Sequence, residues 1–263
     1  MQDQLFASVS QSGKSRRGPA LAFRTIRVII QDTVLVESRP GKEQLPMDIK
    51  ERAAYIVQAL ETAYPDAACS LESRDALQLL IATRLSAQCT DARVNIVTKD
   101  LFARYHTAED FAGANIADIE SIIHSCGLYH TKARDIVRMC QILVTEYGGG
   151  VPDTLEALVR LPGVGRKTAN LIMGDIYGQP AIVADTHCIR ISNRLGLVDT
   201  KDPKRVEMRL RELIAPEKSS MFCHRLVWHG RAVCKARQPE CAHCCLAPYC
   251  ASAPHVIDAV VPG

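Results

Sequence analysis

The sequence predicts an all-α protein, and three observations carry that prediction. From Met47 onward, apolar residues recur three and four apart in segment after segment, the spacing of one helix face. Sustained period-two alternation, the mark of a half-buried strand, is absent outside the first 46 residues. Aromatics make up only 5% of the 263 residues, and the apolar content is mostly Leu, Ile, Val and Ala. No internal repeat is visible.

Residues 1–46 read differently from the rest. Residues 11–19 are Ser, Gly and basic, and residues 24–36 mix apolar and charged side chains without a helical period. Three readings compete for this segment: a flexible basic arm adding non-specific DNA affinity, a transit-like leader, or an upstream extension. The leader reading draws on the lack of acidic residues across 4–31. An arm or extension is favoured, and a segment without function is the plain alternative. From Met47, Ile49, Ala53, Ile56 and Leu60 mark a first helix closed by Pro65. Leu77, Leu80, Ile81 and Leu85 mark the next, which stops near residues 86–91. Asn115 can cap a helix carrying Ile116, Ile119, Ile122 and Ile123, ending at residues 126–130. Ile136, Cys140, Leu143 and Tyr147 line another, stopped by Gly148, Gly149 and Gly150.

The stretch that organises the chain follows. Asp153 with Glu156 is a helix-start signal, and Pro162 ends that short helix at about Arg160. In Leu161-Pro162-Gly163-Val164-Gly165-Arg166-Lys167-Thr168, the two glycines allow a tight hairpin with unusual backbone angles. A second helix starts at about Arg166, with Ala169, Ile172, Met173 and Ile176 along one face. Backbone N–H groups at such a helix start suit a phosphate. Lys167 lies in the first turn, where the helix dipole and partial burial both favour the neutral, nucleophilic amine. Asp185 comes eighteen residues later, a separation of roughly 27 Å along one helix. The turn signal Gly178-Gln179-Pro180 lets the chain double back and bring carboxylate to amine. Asp185 then caps a helix running to Leu195 with Gly196 as its stop, and Asp202-Pro203 opens one more, with Val206, Leu210 and Leu213 inward.

Charge adds little. The formal net charge is +3, and residues 1–46 hold seven basic against four acidic residues, so the remainder balances to about zero. A DNA-binding surface must therefore come from local arrangement. No run of eighteen apolar residues and no secretory signal is present, which excludes a membrane span of that kind. The eleven cysteines are odd in number and scattered, pointing to a reducing cytosol. Cys234, Cys241, Cys244 and Cys250 form C-x6-C-x2-C-x5-C. Four thiols this close need a metal, and spacing alone admits zinc or a 4Fe–4S cluster. Cys245 is a spare thiol. Cys69, Cys89, Cys126, Cys140, Cys188 and Cys223 read as core packing.

Residues 161–170 followed by 183–195 closely resemble the helix-hairpin-helix DNA glycosylases, and specifically bacterial endonuclease III, over about 47–250. The resemblance implies two lobes flanking a DNA groove. One would be six helices over 69–177, with the hairpin at about 154–177; the other would combine 47–68 with 178–263. It also implies a 4Fe–4S cluster on Cys234, Cys241, Cys244 and Cys250, with Lys235 and Arg237 of that loop meeting DNA phosphates. A monomer in the bacterial cytosol is expected. The hairpin residues Gly163, Val164, Gly165 and Arg166 are expected to bind DNA. Gln88 and Leu128 resemble the family's wedge residues, which fill the stack when a nucleotide is flipped out. The competing roles are a helix cap for Gln88 and a core position for Leu128. Asp91 and Tyr129 fall in the same motifs.

The chemistry implied uses Lys167 as nucleophile and ionised Asp185 to stabilise positive charge on the sugar. A Schiff base and strand cleavage by β-elimination follow. The substrates expected are duplexes with oxidised or ring-saturated pyrimidines, or abasic sites. His187 is read as satisfying a helix end rather than as a base. Ala184 departs from the valine of many family members, an effect expected on packing alone. An adenine glycosylase of the A/G-mismatch type would lack a lysine at position 167. A non-enzymatic DNA-binding hairpin would not need Lys167 and Asp185 together, and an iron–sulfur electron carrier would not need the hairpin.

Overall fold

The computed structural model describes residues 47–253, and the readings of 1–46 and 254–263 lie outside the described residues. Eleven α-helices and no strand occur among the described residues. They are α1 (Ile49–Ala63), α2 (Ala76–Ser86), α3 (Asp91–Arg104), α4 (Ala108–Ala112), α5 (Ile116–Ile123), α6 (Tyr129–Tyr147), α7 (Leu155–Leu158), α8 (Arg166–Asp175), α9 (Thr186–Arg194), α10 (Pro203–Leu213) and α11 (Ser219–Ala232). None is long and apolar enough to cross a membrane.

Local chemistry sets the helix starts. Asp48, Asp75, Thr90, Thr107, Asn115, Thr154, Asp185 and Asp202 each accept a backbone N–H of the first turn through the side chain. Such a cap stabilises a helix by about 1 kcal/mol. Thr154, not the expected Asp153, opens α7, because its Oγ1 reaches the Ala157 N–H at 3.3 Å. Three helices start without a side-chain cap. α11 continues from the turn at Pro216–Lys218; the other two are α6, after Leu128, and α8, after Gly165. Two helix starts are thus left with orphan donors, and both lie at positions singled out from sequence.

The periodic residues form the core, with Ile56, Leu80, Leu85, Ile119, Ile136 and Leu143 wholly buried. α6 packs on α2, α4 and α5, while α8 touches α2, α7 and α11. α1 packs instead on α10 and α11, and its Arg52 binds the carbonyls of Leu195 (2.5 Å) and Gly196 (3.0 Å) beyond the end of α9. Lys132 is fully buried, and its Nζ donates to the Leu85 carbonyl at 2.8 Å, satisfying the C-terminal end of α2. Sequence reading did not place α3, α4 or α11.

Candidate active site and cysteine pocket

The hairpin is pinned from inside. Leu161 and Val164 are buried, and the Val164 N–H donates to the Leu161 carbonyl at 3.1 Å. Val164 is therefore an anchor whose donor is already used within the turn. Gly163 adopts φ +72°, and a Cβ there would lie 2.3 Å from Arg84 Nε and 3.0 Å from Asp135 Oδ2. The Arg84–Asp135 ion pair (Nε to Oδ2 2.9 Å) lies directly beneath this turn. Gly165 is different. Its φ of −94° suits any residue, and a Cβ would meet nothing within 4 Å. The fold does not need glycine at 165.

Gly163→Ala should therefore lower stability by about 1–3 kcal/mol from backbone strain alone. Gly165→Ala should leave stability within about 0.5 kcal/mol, as for a surface change, yet weaken binding to duplex DNA. Thermal unfolding and DNA titration of the two variants check this contrast.

Arg166 is engaged within the fold. Its Nε and Nη2 pair with Glu207 Oε2 and Oε1 at 2.6 and 2.8 Å, and Glu207 is buried on α10. The guanidinium thus ties the start of α8 to α10 through Nε and Nη2. Lys167, next along, is exposed, so the protein itself does not supply the partial burial expected for it. The reason is position: Lys167 occupies the open first turn of α8, whose first-turn donors take no side-chain cap.

The expected chain reversal follows α8. Gly178 turns the chain at φ +61°, and the Gln179 N–H closes on the Met173 carbonyl at 3.0 Å. The returning strand-like segment is held to α11 by Ala181 N–H to Ser219 Oγ (3.0 Å) and Val183 N–H to Cys223 Sγ (3.2 Å). Six residues from 180 span at most about 20 Å, enough to retrace a ten-residue helix of about 15 Å. Asp185 then caps α9, Oδ1 accepting the Cys188 N–H at 2.7 Å. Its other carboxylate oxygen has no hydrogen-bond partner among the described residues. Burial lowers the affinity of His187 for a proton, Asp185 raises it, and Arg190, Arg231 and Lys167 oppose it. Nδ1 of His187 lies 3.2 Å from Arg190 Nη2, a packing role at the helix start.

Gln88 and Leu128 share a feature that sequence reading could not show. They are the two non-glycine residues with positive φ among the described residues, at +54° and +61°. A leucine in that region is strained, and such strain gathers at functional sites. Leu128 is 59% exposed, so it is not core. Gln88 is exposed and α2 ends at Ala87, so it is not a cap. Behind the Gln88 loop, Arg231 joins Asp91 Oδ2 and Ser70 Oγ, both at 2.7 Å.

Comparison with known proteins accords with this arrangement. A family model described as HhH-GPD superfamily base excision DNA repair protein matches residues 81–216. Endonuclease III of Synechocystis sp. is 46% identical over 205 residues, covering 78% of this chain and 94% of that protein. The Bacillus subtilis enzyme is 44% identical over 188 residues, 71% of this chain and 86% of that protein. This chain belongs to the endonuclease III family. A solved structure of a non-covalent endonuclease III–DNA complex superposes with a TM-score of 0.74 at 43% identity, covering 79% of this chain and 97% of that one. A trapped endonuclease III–DNA covalent intermediate gives the same score and identity.

In this endonuclease III family member, Cys234, Cys241, Cys244 and Cys250 line one cavity of about 70 Å³ with Arg194, Val233 and Ala247. Cys245 is not among its walls. Among the described residues, no three His, Cys, Asp or Glu side chains converge closely enough for a single metal ion. The four cysteines line one space, a donor set that suits a 4Fe–4S cluster or zinc. Arg194 braces the wall, with Nη1 3.2 Å from Cys234 Sγ and bonds to the carbonyls of Lys235 and Ala236 at 2.7 Å. Lys235 pairs with Glu240 at 2.5 Å, and Arg237 is exposed.

Proposed function

We propose that this chain excises oxidised or ring-saturated pyrimidines, thymine glycol among them, from duplex DNA and nicks the resulting abasic site by β-elimination. What supports the reading is the pair of helix starts themselves, α8 with an exposed lysine and no side-chain cap, and α9 with a capping carboxylate that keeps one oxygen free. Lys167 Nζ attacks the anomeric carbon of the extruded nucleotide and the base leaves. DNA covering the open turn supplies the desolvation that the protein alone does not. Asp185 accepts a proton from the amine and faces the positive charge growing on the sugar. The sugar opens to a Schiff base on Lys167, loss of a proton from the adjacent carbon follows, and the 3′ phosphate departs.

Gln88 and Leu128 enter the duplex and hold the gap; their exposure and left-handed backbone support this. The N–H groups of Gly165 and Arg166 take a phosphate, and Arg237, with Lys235 when released from Glu240, a further one. Cys234, Cys241, Cys244 and Cys250 hold a 4Fe–4S cluster, which ties residues 234–250 into the shape that presents these cations. The DNA groove runs between helices of 69–177 and those of 47–68 with 178–253. The protein works as a monomer in the bacterial cytoplasm.

The test is strand cleavage on duplexes bearing thymine glycol, an abasic site or no lesion, alongside iron, sulfide and zinc analysis. Cleavage of both damaged duplexes with a β-elimination end, and iron equal to sulfide, is expected. Cleavage of neither, or stoichiometric zinc, would overturn the activity or the cluster respectively.

A further inference from the structure

Two thiols flank the two strained residues. Cys89 follows Gln88 directly, and Cys126 precedes Leu128 by two residues. The loops touch, since a Cβ on Gly127 would sit 3.7 Å from the Gln88 carbonyl oxygen. Cys126 is fully buried, while Cys89 is half-buried at the edge of the core. Each thiol sits beside one of these touching residues, and the neighbouring Cys89 helps raise the Cys126 thiol. Lys132, whose ammonium is fully buried against the Leu85 carbonyl, and Arg93 are the cations acting on this pair. Neither sulfur belongs to the cysteine pocket.

We propose that Cys89 and Cys126 are a modification site, a dithiol that hydrogen peroxide closes to a disulfide tying the Gln88 loop to the Leu128 loop. The functional consequence rests on the reading of those loops as the elements that enter DNA; the disulfide itself does not. Cys89, the thiol that solvent reaches, reacts first. Its thiolate attacks one peroxide oxygen, the O–O bond breaks, and the leaving hydroxide takes a proton to become water. Cys89 is then a sulfenic acid. The Cys126 sulfur attacks the Cys89 sulfur, the S–S bond forms, the S–O bond breaks, and hydroxide leaves with the Cys126 proton as a second water. Two electrons pass from the thiols to the peroxide. Burial pushes the Cys126 thiol up to about 11, which suits it to resolve the intermediate and not to start it. Lys132 offers the charge that eases its ionisation.

A disulfide here joins the two backbones that carry the left-handed residues, and removes the give they need to thread a base stack. Misplacement of about 1 Å in such elements lowers rates by up to about 100-fold. The test treats the full reduced chain with hydrogen peroxide, caps the remaining thiols by alkylation and maps the peptides. A linked peptide containing Cys89 and Cys126 is expected, reversed by dithiothreitol and absent in Cys126→Ala. Cleavage of an abasic-site duplex should fall about tenfold or more and recover on reduction, while Cys126→Ala exposed alike keeps its rate. Both thiols remaining alkylatable, or Cys89 driven to sulfinic acid with Cys126 free, would overturn the site. Equal loss in Cys126→Ala, or a crosslink that leaves the rate unchanged, would overturn the switch. A reduced protein inactive on abasic DNA would count against the functional reading, and the peptide map would still decide the disulfide.

Discussion

Lys167→Ala should lose at least about 10⁴-fold in strand cleavage at an abasic site while binding the same duplex, since no other group in the site can form the Schiff base. Lys167 is exposed in the first turn of α8 and makes no side-chain hydrogen bond or ion pair among the described residues. Alanine is also the better helix former, so the variant should unfold within about 0.5 kcal/mol of the parent. Single-turnover cleavage with a parallel binding titration separates the two effects. Loss of binding together with activity would mean that the lysine only holds DNA.

Asp185→Asn should reduce cleavage of thymine glycol duplex by about 10²–10⁴-fold, the range for removal of a positioned proton-transfer group. The side chain has two duties, and the substitution splits them. Oδ1 caps α9 through the Cys188 N–H, and asparagine caps a helix as well as aspartate does. Folding should therefore persist while the negative charge facing the sugar disappears. Asp185→Ala removes both, so it should cost about a further 1 kcal/mol of stability. Comparing thermal unfolding and single-turnover rates of the two variants assigns each duty to its atom.

Much of this was legible because the signals are local. Most helix starts announce themselves by a residue whose own side chain closes the first turn, as Asn115, Asp185 and Asp202 do. The open start of α8 was legible for the converse reason, since Gly165 has nothing to cap with. The elements missed have weaker local signals. α3 and α11 carry polar residues on faces that still bury Thr98, Ser219, His224 and His229, which blurs the apolar stripe. The ion pair of Arg166 was not legible, because its partner Glu207 lies 41 residues away and nothing in the hairpin announces an acidic group on α10. The exposure of Lys167 was misjudged for a related reason, because burial depends on what the fold brings over a turn. The left-handed backbone at Gln88 and Leu128 was beyond any pattern, since neither residue type favours it. Cysteine spacing left zinc and a 4Fe–4S cluster both open; that the four cysteines line one cavity required the fold.

The central claim is a covalent bond between Lys167 and the sugar of a damaged nucleotide. Borohydride trapping on a duplex with one thymine glycol, followed by peptide mapping, tests it most directly. A reduced protein–DNA adduct carried by Lys167, and missing in Lys167→Ala, is the predicted result. An adduct on another amine, or cleavage of thymine glycol duplex that borohydride never traps, would contradict it.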